Sequence, residues 1–314
     1  MAPCVTEVQH IATLDLPLEL WVPITIAAAF FQNLRFMLQK SLKGRLSTLG
    51  VTFSRFVFAA PLAWTVVVAL LLRPGAVWPG VTAEFIVFAG IGALAQVVAT
   101  ALVVALFSLR NFAVGITFSK TETVMTALLS AAVLAEPVSG GAWVAILITV
   151  AGVVLMSGLP RTGNLASGIL GRAALIGIAS GIIFAMASIG YRGASLALEQ
   201  GDFLIRASVT LAMVTSFQSV IMAAWLGLRE PGELSRVFGA WRIAIWVGLT
   251  GMLGSLGWFT AFTLQNAAYV KALGQVELLF TVAASVFFFR ERISRTEAGG
   301  ILLITFGILV LLLA

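Results

Sequence analysis

The chain has 314 residues, 60% of them hydrophobic and only 10% charged, with a mean hydropathy of +1.07. Soluble domains run at about 45–50% apolar and about 25% charged, so this composition describes a membrane protein and excludes a soluble enzyme. The net charge of +6 sits mainly in short loops between apolar runs, which points away from nucleic acid as a partner and towards the lipid bilayer.

A bilayer core about 30 Å thick takes about 20 apolar residues per helical span. On that measure the sequence predicts an all-α polytopic membrane protein with spans at 19–39, 51–72, 83–109, 111–134, 141–159, 170–192, 203–228, 241–265, 267–289 and 296–314. Residues 1–18 form a tail that carries Glu7 and Asp15 but no Lys or Arg. It lacks the basic start of a cleavable secretory signal, so the first span is expected to be retained. The single cysteine, Cys4, and the single histidine, His10, both lie in this tail. No internal disulfide, cysteine- or histidine-built metal site, or membrane-embedded histidine base can be assembled from them, and no cofactor or enzymatic activity is expected.

Taken in order, the spans carry polar residues at uneven intervals. The first holds Gln32, Asn33 and Arg35, and Arg35 fits either a cavity wall or an interfacial anchor. Arg55 follows in the second span and Gln96 in the third. The GIGALA run at 90–95 lies inside a span with no strand before it, so it is not a dinucleotide-binding loop. The fourth span opens with Lys120 and Glu122, then places Thr126 and Ser130 at steps of four, on one helix face. Glu136 lies beyond its end and is expected to cap a turn or pair with a loop base. Gly177 and Gly181 form a small-xxx-small pair on the sixth span, and Gly248, Gly251, Gly254 and Gly257 run along the eighth, where close helix approach is expected. Trp258, Tyr269 and Gln275, with Gln96, suit a cavity that binds polar and apolar surface together, or ordinary packing. The ninth span holds Lys271 and Glu277, followed by Thr281 and Ser285, and Glu291 lies after it as Glu136 does after the fourth.

Ionisable groups at mid-span cost about 2.5–3.5 kcal/mol on insertion scales and usually face a cavity or a partner. Protonating a glutamate at pH 7 costs about 3.7 kcal/mol, so a proton site at Glu122 or Glu277 is allowed but not required. Lys120 lies about 200° round a helix from Glu122, and Lys271 about 9 Å of rise from Glu277. Ion pairs made by these residues are therefore expected to cross between helices.

The chain also reads as a duplication. An offset of 155 residues aligns Glu122 with Glu277, Asn111 with Asn266, Thr126 with Thr281, Ser130 with Ser285, Glu136 with Glu291 and Gly152 with Gly307. An offset of 151 aligns Arg55 with Arg206. The expected units are 19–159 and 170–314, joined by a linker at 160–169. Each holds five spans, an odd number, so the second copy is expected to enter the membrane inverted, with substrate bound near the midplane between copies. Loop charge agrees: Lys40, Lys43 and Arg45 correspond to a loop with Arg192, Glu199 and Asp202. Basic residues concentrate after odd-numbered spans, which by the positive-inside rule places both termini outside.

The segments SKTETVMTALLSAAVLAEPVSGGAWVAILITVAGVVLM and LGQVELLFTVAASVFFFRERISRTEAGGILLITFGILVLL, with Arg55 and Arg206, resemble the EamA-type ten-helix members of the drug/metabolite transporter superfamily. The resemblance spans residues 19–314. It implies two inverted five-helix repeats around a central cavity, lined by the first, third and fourth helices of each half, in a monomer or homodimer of the bacterial inner membrane. It implies export or exchange of small polar or amphipathic metabolites, amino acids among them. Glu136 and Glu291 match the family's turn acid. Glu122 does not correspond to the proton-coupling glutamate of small multidrug relatives, which lies in their first helix. The substrate- or ion-binding residues expected are Glu122, Glu277, Lys120, Lys271, Arg35, Gln96, Gln275, Trp258 and Tyr269. A non-transporting scaffold or sensor and a lipid flippase are the alternatives.

Overall fold

The computed structural model describes residues 19–106, 109, 118–156, 172–280, 282, 283 and 294–313. The tail, the linker, Asn111, Thr281, Ser285 and Glu291 lie outside the described residues.

All regular structure among the described residues is helical: α1 (Trp21–Leu42), α2 (Thr48–Leu71), α3 (Ala83–Leu106), α4 (Glu122–Val133), α5 (Gly140–Met156), α6 (Arg172–Leu196), α7 (Phe203–Arg229), α8 (Glu233–Gly239), α9 (Trp241–Leu264), α10 (Ala267–Leu273) and α11 (Arg295–Leu313). Six of them, α1, α2, α3, α6, α7 and α9, are long and apolar enough to cross a membrane, and α4, α5 and α11 are shorter apolar helices. Most limits fall within a few residues of the expected spans. Helix α6 instead runs past 192 to Leu196, and Arg192 is drawn into the protein with 9% of its surface exposed. Arg192 is therefore a helical residue and not the loop base that the sequence suggested.

Local chemistry fixes several starts. Ser47 Oγ accepts from the Gly50 amide at 2.9 Å at the head of α2, and Asp202 Oδ1 accepts from the Ile205 amide at 2.8 Å at the head of α7. Such caps satisfy helix-terminal amides that have no partner within the helix. The short helix α8 adds a device that the sequence did not reveal. Its Glu233, 2% exposed, accepts the Ser47 amide at 2.6 Å, which ties the α7–α9 connection to the start of α2. Gly50 leaves room for this carboxylate, which a Cβ there would crowd.

Packing follows membrane rules. Large apolar side chains such as Val68, Leu72, Val220, Trp225 and Leu228 are exposed, while the interior is rich in Ala, Ser and Thr. With no hydrophobic drive between helices in lipid, close backbone approach through small residues holds the bundle. Helix α1 packs along α9, α3 along α6, α5 along α11 and α2 along α7, with α4 between α6 and α10. The glycine stripe of α9 is its seam with α1 and α2. A Cβ at Gly248 would meet Phe58, and one at Gly257 would lie 2.8 Å from the Ala28 Cβ. Gly152 and Gly307 play the same part between α5 and α11, each facing backbone within 3 Å.

Overpacking of this kind costs about 1–3 kcal/mol. Gly257→Ala is expected to lower the thermal midpoint of the purified protein. Gly90→Ala on α3, where a Cβ meets nothing within 4 Å, is expected to leave it unchanged or raise it.

Candidate binding site

Two helix interruptions build the site. Phe118 and Ser119 are helical, Lys120 and Thr121 form a turn, and α4 begins at Glu122. The Thr121 amide donates to Phe118 O and the Thr123 amide to Lys120 O, both at 3.2 Å and both of the tighter i→i−3 type. Helix α10 likewise gives way to a 3₁₀ turn at Gly274–Val276 immediately before Glu277. Under the 155-residue offset the two interruptions fall at the same place. Mid-helix 3₁₀ stretches often mark functional hinges. Gly274 is required at the second, because a Cβ would lie 2.4 Å from the Trp258 ring. Each glutamate then sits in the first turn of the helix that resumes, where the positive end of the helix dipole favours a carboxylate.

The charges meet in a crossed pattern. Lys120 pairs with Glu277, and Lys271 Nζ lies 2.5 Å from Glu122 Oε1. The second contact is an ion pair by distance but lies outside hydrogen-bond angles. All four side chains are 12–14% exposed. Glu277 also accepts from Gln32 Nε2 at 2.7 Å, and its carbonyl from Asn33 Nδ2 at 3.4 Å. Gln275 donates to Thr123 Oγ1 at 2.8 Å, bridging the two interrupted helices again. Lys271 lies over the Trp258 ring, 4.6 Å from its centroid, and near Phe262, so an aromatic face shares the stabilisation of its charge.

Beside this cluster lies a narrow cleft of about 20 Å³, room for one or two waters. Its polar lining is Gln32, Arg55, Gln96, Ser188, Ser255 and Lys271; Phe184, Tyr191, Trp258, Phe259 and Phe262 form the aromatic wall. Tyr191 stacks on Phe259 at 4.2 Å between centroids and donates to Gln96 Oε1 at 2.6 Å, and Gln218 reaches the same oxygen from α7. Gly92 makes room for the Tyr191 ring, which a Cβ would approach to 2.8 Å.

Of the residues singled out in the sequence, Gln96, Trp258 and Lys271 line the cavity. Lys120, Glu122, Glu277 and Gln275 form the ion-pair cluster next to it. Arg35 is 2% exposed but lies to one side, donating to Gln39 Oε1 at 3.1 Å and stacking on Phe36. Tyr269 is elsewhere, bonded through its hydroxyl to Ser139 at the turn before α5. Arg55, Ser255, Tyr191 and Phe259 were not singled out as site residues. A charge inside an apolar span is the sequence signal for Arg55.

A second polar cluster closes one end of the bundle. Arg192 Nε and Nη2 both donate to Glu136 at 2.6 Å, and Nη1 donates to the carbonyls of Phe262 and Gln265 at the end of α9. Asn266 adds bonds to Ser130 Oγ and to Glu136 O. One guanidinium thus ties the turn after α4, the end of α6 and the α9–α10 corner together, and it satisfies carbonyls that the helix end leaves open. Glu136 pairs with a base, as expected, although the base is helical.

The sequence model of the EamA-like transporter family matches residues 19–158 and 171–313. A protein crystal structure is similar to 92% of this chain and 95% of its own, with a TM-score of 0.68 at 16% identity, a likeness of fold. No curated protein matches the chain.

A double-mutant cycle on Arg192→Gln and Glu136→Gln, followed by unfolding of the purified protein, is expected to give a coupling of about 1–3 kcal/mol. Arg192→Gln should be the more damaging single change, because it also strips two carbonyls of their donor.

Proposed function

The chain belongs to the EamA-like transporter family, and on that premise we propose that it is a secondary transporter that exports or exchanges a small polar or amphipathic metabolite, amino acids among the candidates, by alternating access. The protein is a multi-pass integral membrane protein; the proposed arrangement is ten spans in two inverted five-helix halves, with solute held between them near the midplane.

One observation carries this reading. The two helix interruptions lie 155 residues apart in sequence, and each is followed by a glutamate whose charge is met by a lysine from the other half. Discontinuous helices that present charged groups and open backbone to a cavity are the recurrent solute and ion sites of transporters built from inverted repeats. Helix pairing supports the same arrangement. The α1–α9 and α3–α6 contacts exchange with one another when the halves are swapped, while α2–α7 and α5–α11 each map onto themselves. Ion pairs between halves can be made in one arrangement and remade or carried by solute in another, which a rocking mechanism requires.

Counterflow in proteoliposomes tests the proposal. A transporter exchanges labelled solute, a flippase moves labelled lipid, and a scaffold moves neither. Glu122→Gln and Glu277→Gln are each expected to give folded protein, judged by a monodisperse elution profile, with solute flux reduced to near background. Unchanged flux in both would leave the four charges a packing role only.

A further inference from the structure

The lysines of the site have carboxylate partners; the arginine of the cavity wall does not. Arg55 is 5% exposed, and its bonds run to two neutral hydroxyls, Thr100 Oγ1 at 3.1 Å and Ser255 Oγ at 3.2 Å. Among the described residues, no carboxylate lies within ion-pair distance of it. Its guanidinium also lies over the Phe56 ring, 5.1 Å from the centroid, a contact weaker than a buried ion pair. A Cβ at Gly251 would touch the Arg55 chain at 3.2 Å and the Arg35 chain at 3.3 Å, so a second buried guanidinium, hydrogen-bonded to the neutral Gln39 side chain, flanks the same glycine. Hydroxyls do not repay the desolvation of a cation, and a buried charge without a counter-charge is retained at a substantial cost in stability.

A second observation points the same way. Trp258 Nε1 is buried without an acceptor, and its side chain lines the same cavity. The cavity lining includes two cations, Arg55 and Lys271, and no Asp or Glu, while both glutamates of the neighbouring cluster are occupied by lysines. The wall thus offers positive charge and an unused N–H donor. It has no free carboxylate to receive an ammonium group. The remaining surface is aromatic.

We propose that Arg55, assisted by the Trp258 indole N–H, is an anion subsite that takes the carboxylate of a small organic acid, whose apolar or aromatic body lies against Tyr191 and Phe259. A guanidinium fork matches a carboxylate in a bidentate geometry that an ammonium cannot reproduce. The assignment rests on the cavity being the solute site proposed above, and it narrows the solute to an acid in preference to a cationic amine. Because the cleft is narrow, entry of the acid displaces side chains of the aromatic wall.

The test uses purified full-length protein with 3-phenylpropionate and phenethylamine, probes of similar size and opposite charge, followed by thermal shift, direct binding and counterflow. The acid is expected to bind and raise the thermal midpoint, and the amine to do neither. Arg55→Met is expected to weaken acid binding by about ten-fold or more, the scale of a lost charge-assisted contact. The same variant should leave the midpoint of the empty protein unchanged or higher, since a structural arginine would lower it. Arg55→Lys should bind the acid with intermediate affinity. Preference for the amine, binding of neither probe, or undiminished acid binding in Arg55→Met would each overturn the subsite. If Arg55→Met does not fold, the subsite is likewise overturned in favour of a structural role unless Arg55→Lys folds with weakened acid binding. Acid binding without counterflow supports the subsite and removes the transporter reading; counterflow of the amine alone does the reverse.

Discussion

A charge in hydrocarbon must find an opposite charge, a set of dipoles or water, and most of the interior of this protein is arranged around that requirement. Lys120 and Glu277, and Lys271 and Glu122, solve it for one another across the two parts of the chain. Neither lysine can reach the glutamate beside it in sequence. The two interrupted helices must therefore be brought together before any of the four charges is satisfied. The ion pairs sit at the helix breaks, and separated helices would leave all four charges without these partners in lipid.

The same economy governs the frame around the site. Where lipid supplies no hydrophobic drive, helices hold through small residues, and the glycines of α9 let α1 and α2 approach to near van der Waals contact. Polar clamps then fix the ends. Arg192 collects Glu136 and the open carbonyls of α9, and Glu233 on α8 holds the start of α2. A packed seam flanked by separable polar contacts suits rigid bodies that rock, because close-packed surfaces switch between discrete arrangements and do not deform gradually. In the proposed cycle the bundle would move as preformed pieces, and the exchange of ion-pair partners would occur at the two interrupted helices.

Electrostatic balance separates the roles of the cations. Lysines that already have acids contribute order; an arginine with hydroxyls and an aromatic ring but no carboxylate among the described residues contributes an unmet demand, and in a cleft walled by aromatic rings the proposed answer to that demand is an acid with an apolar body. Lys271 joins the two parts, being at once the partner of Glu122, a cation over Trp258 and a wall of the cavity.

Much was legible without coordinates. Composition alone placed the chain in a membrane, hydropathy located most helices to within a few residues, and the rarity of charge inside apolar runs drew attention to Lys120, Glu122, Lys271 and Glu277, because insertion energy depends on residue type and local run length. Tertiary structure decided what depends on distance. Which lysine serves which glutamate, the hydroxyl partners of Arg55, the withdrawal of Arg192 from a loop into α6, the Glu233 cap and the placement of Tyr269 at Ser139 each depend on groups remote in sequence. Hydropathy sums over neighbours along the chain, whereas the satisfaction of a buried polar group is set by neighbours in space, and only the packed bundle defines those.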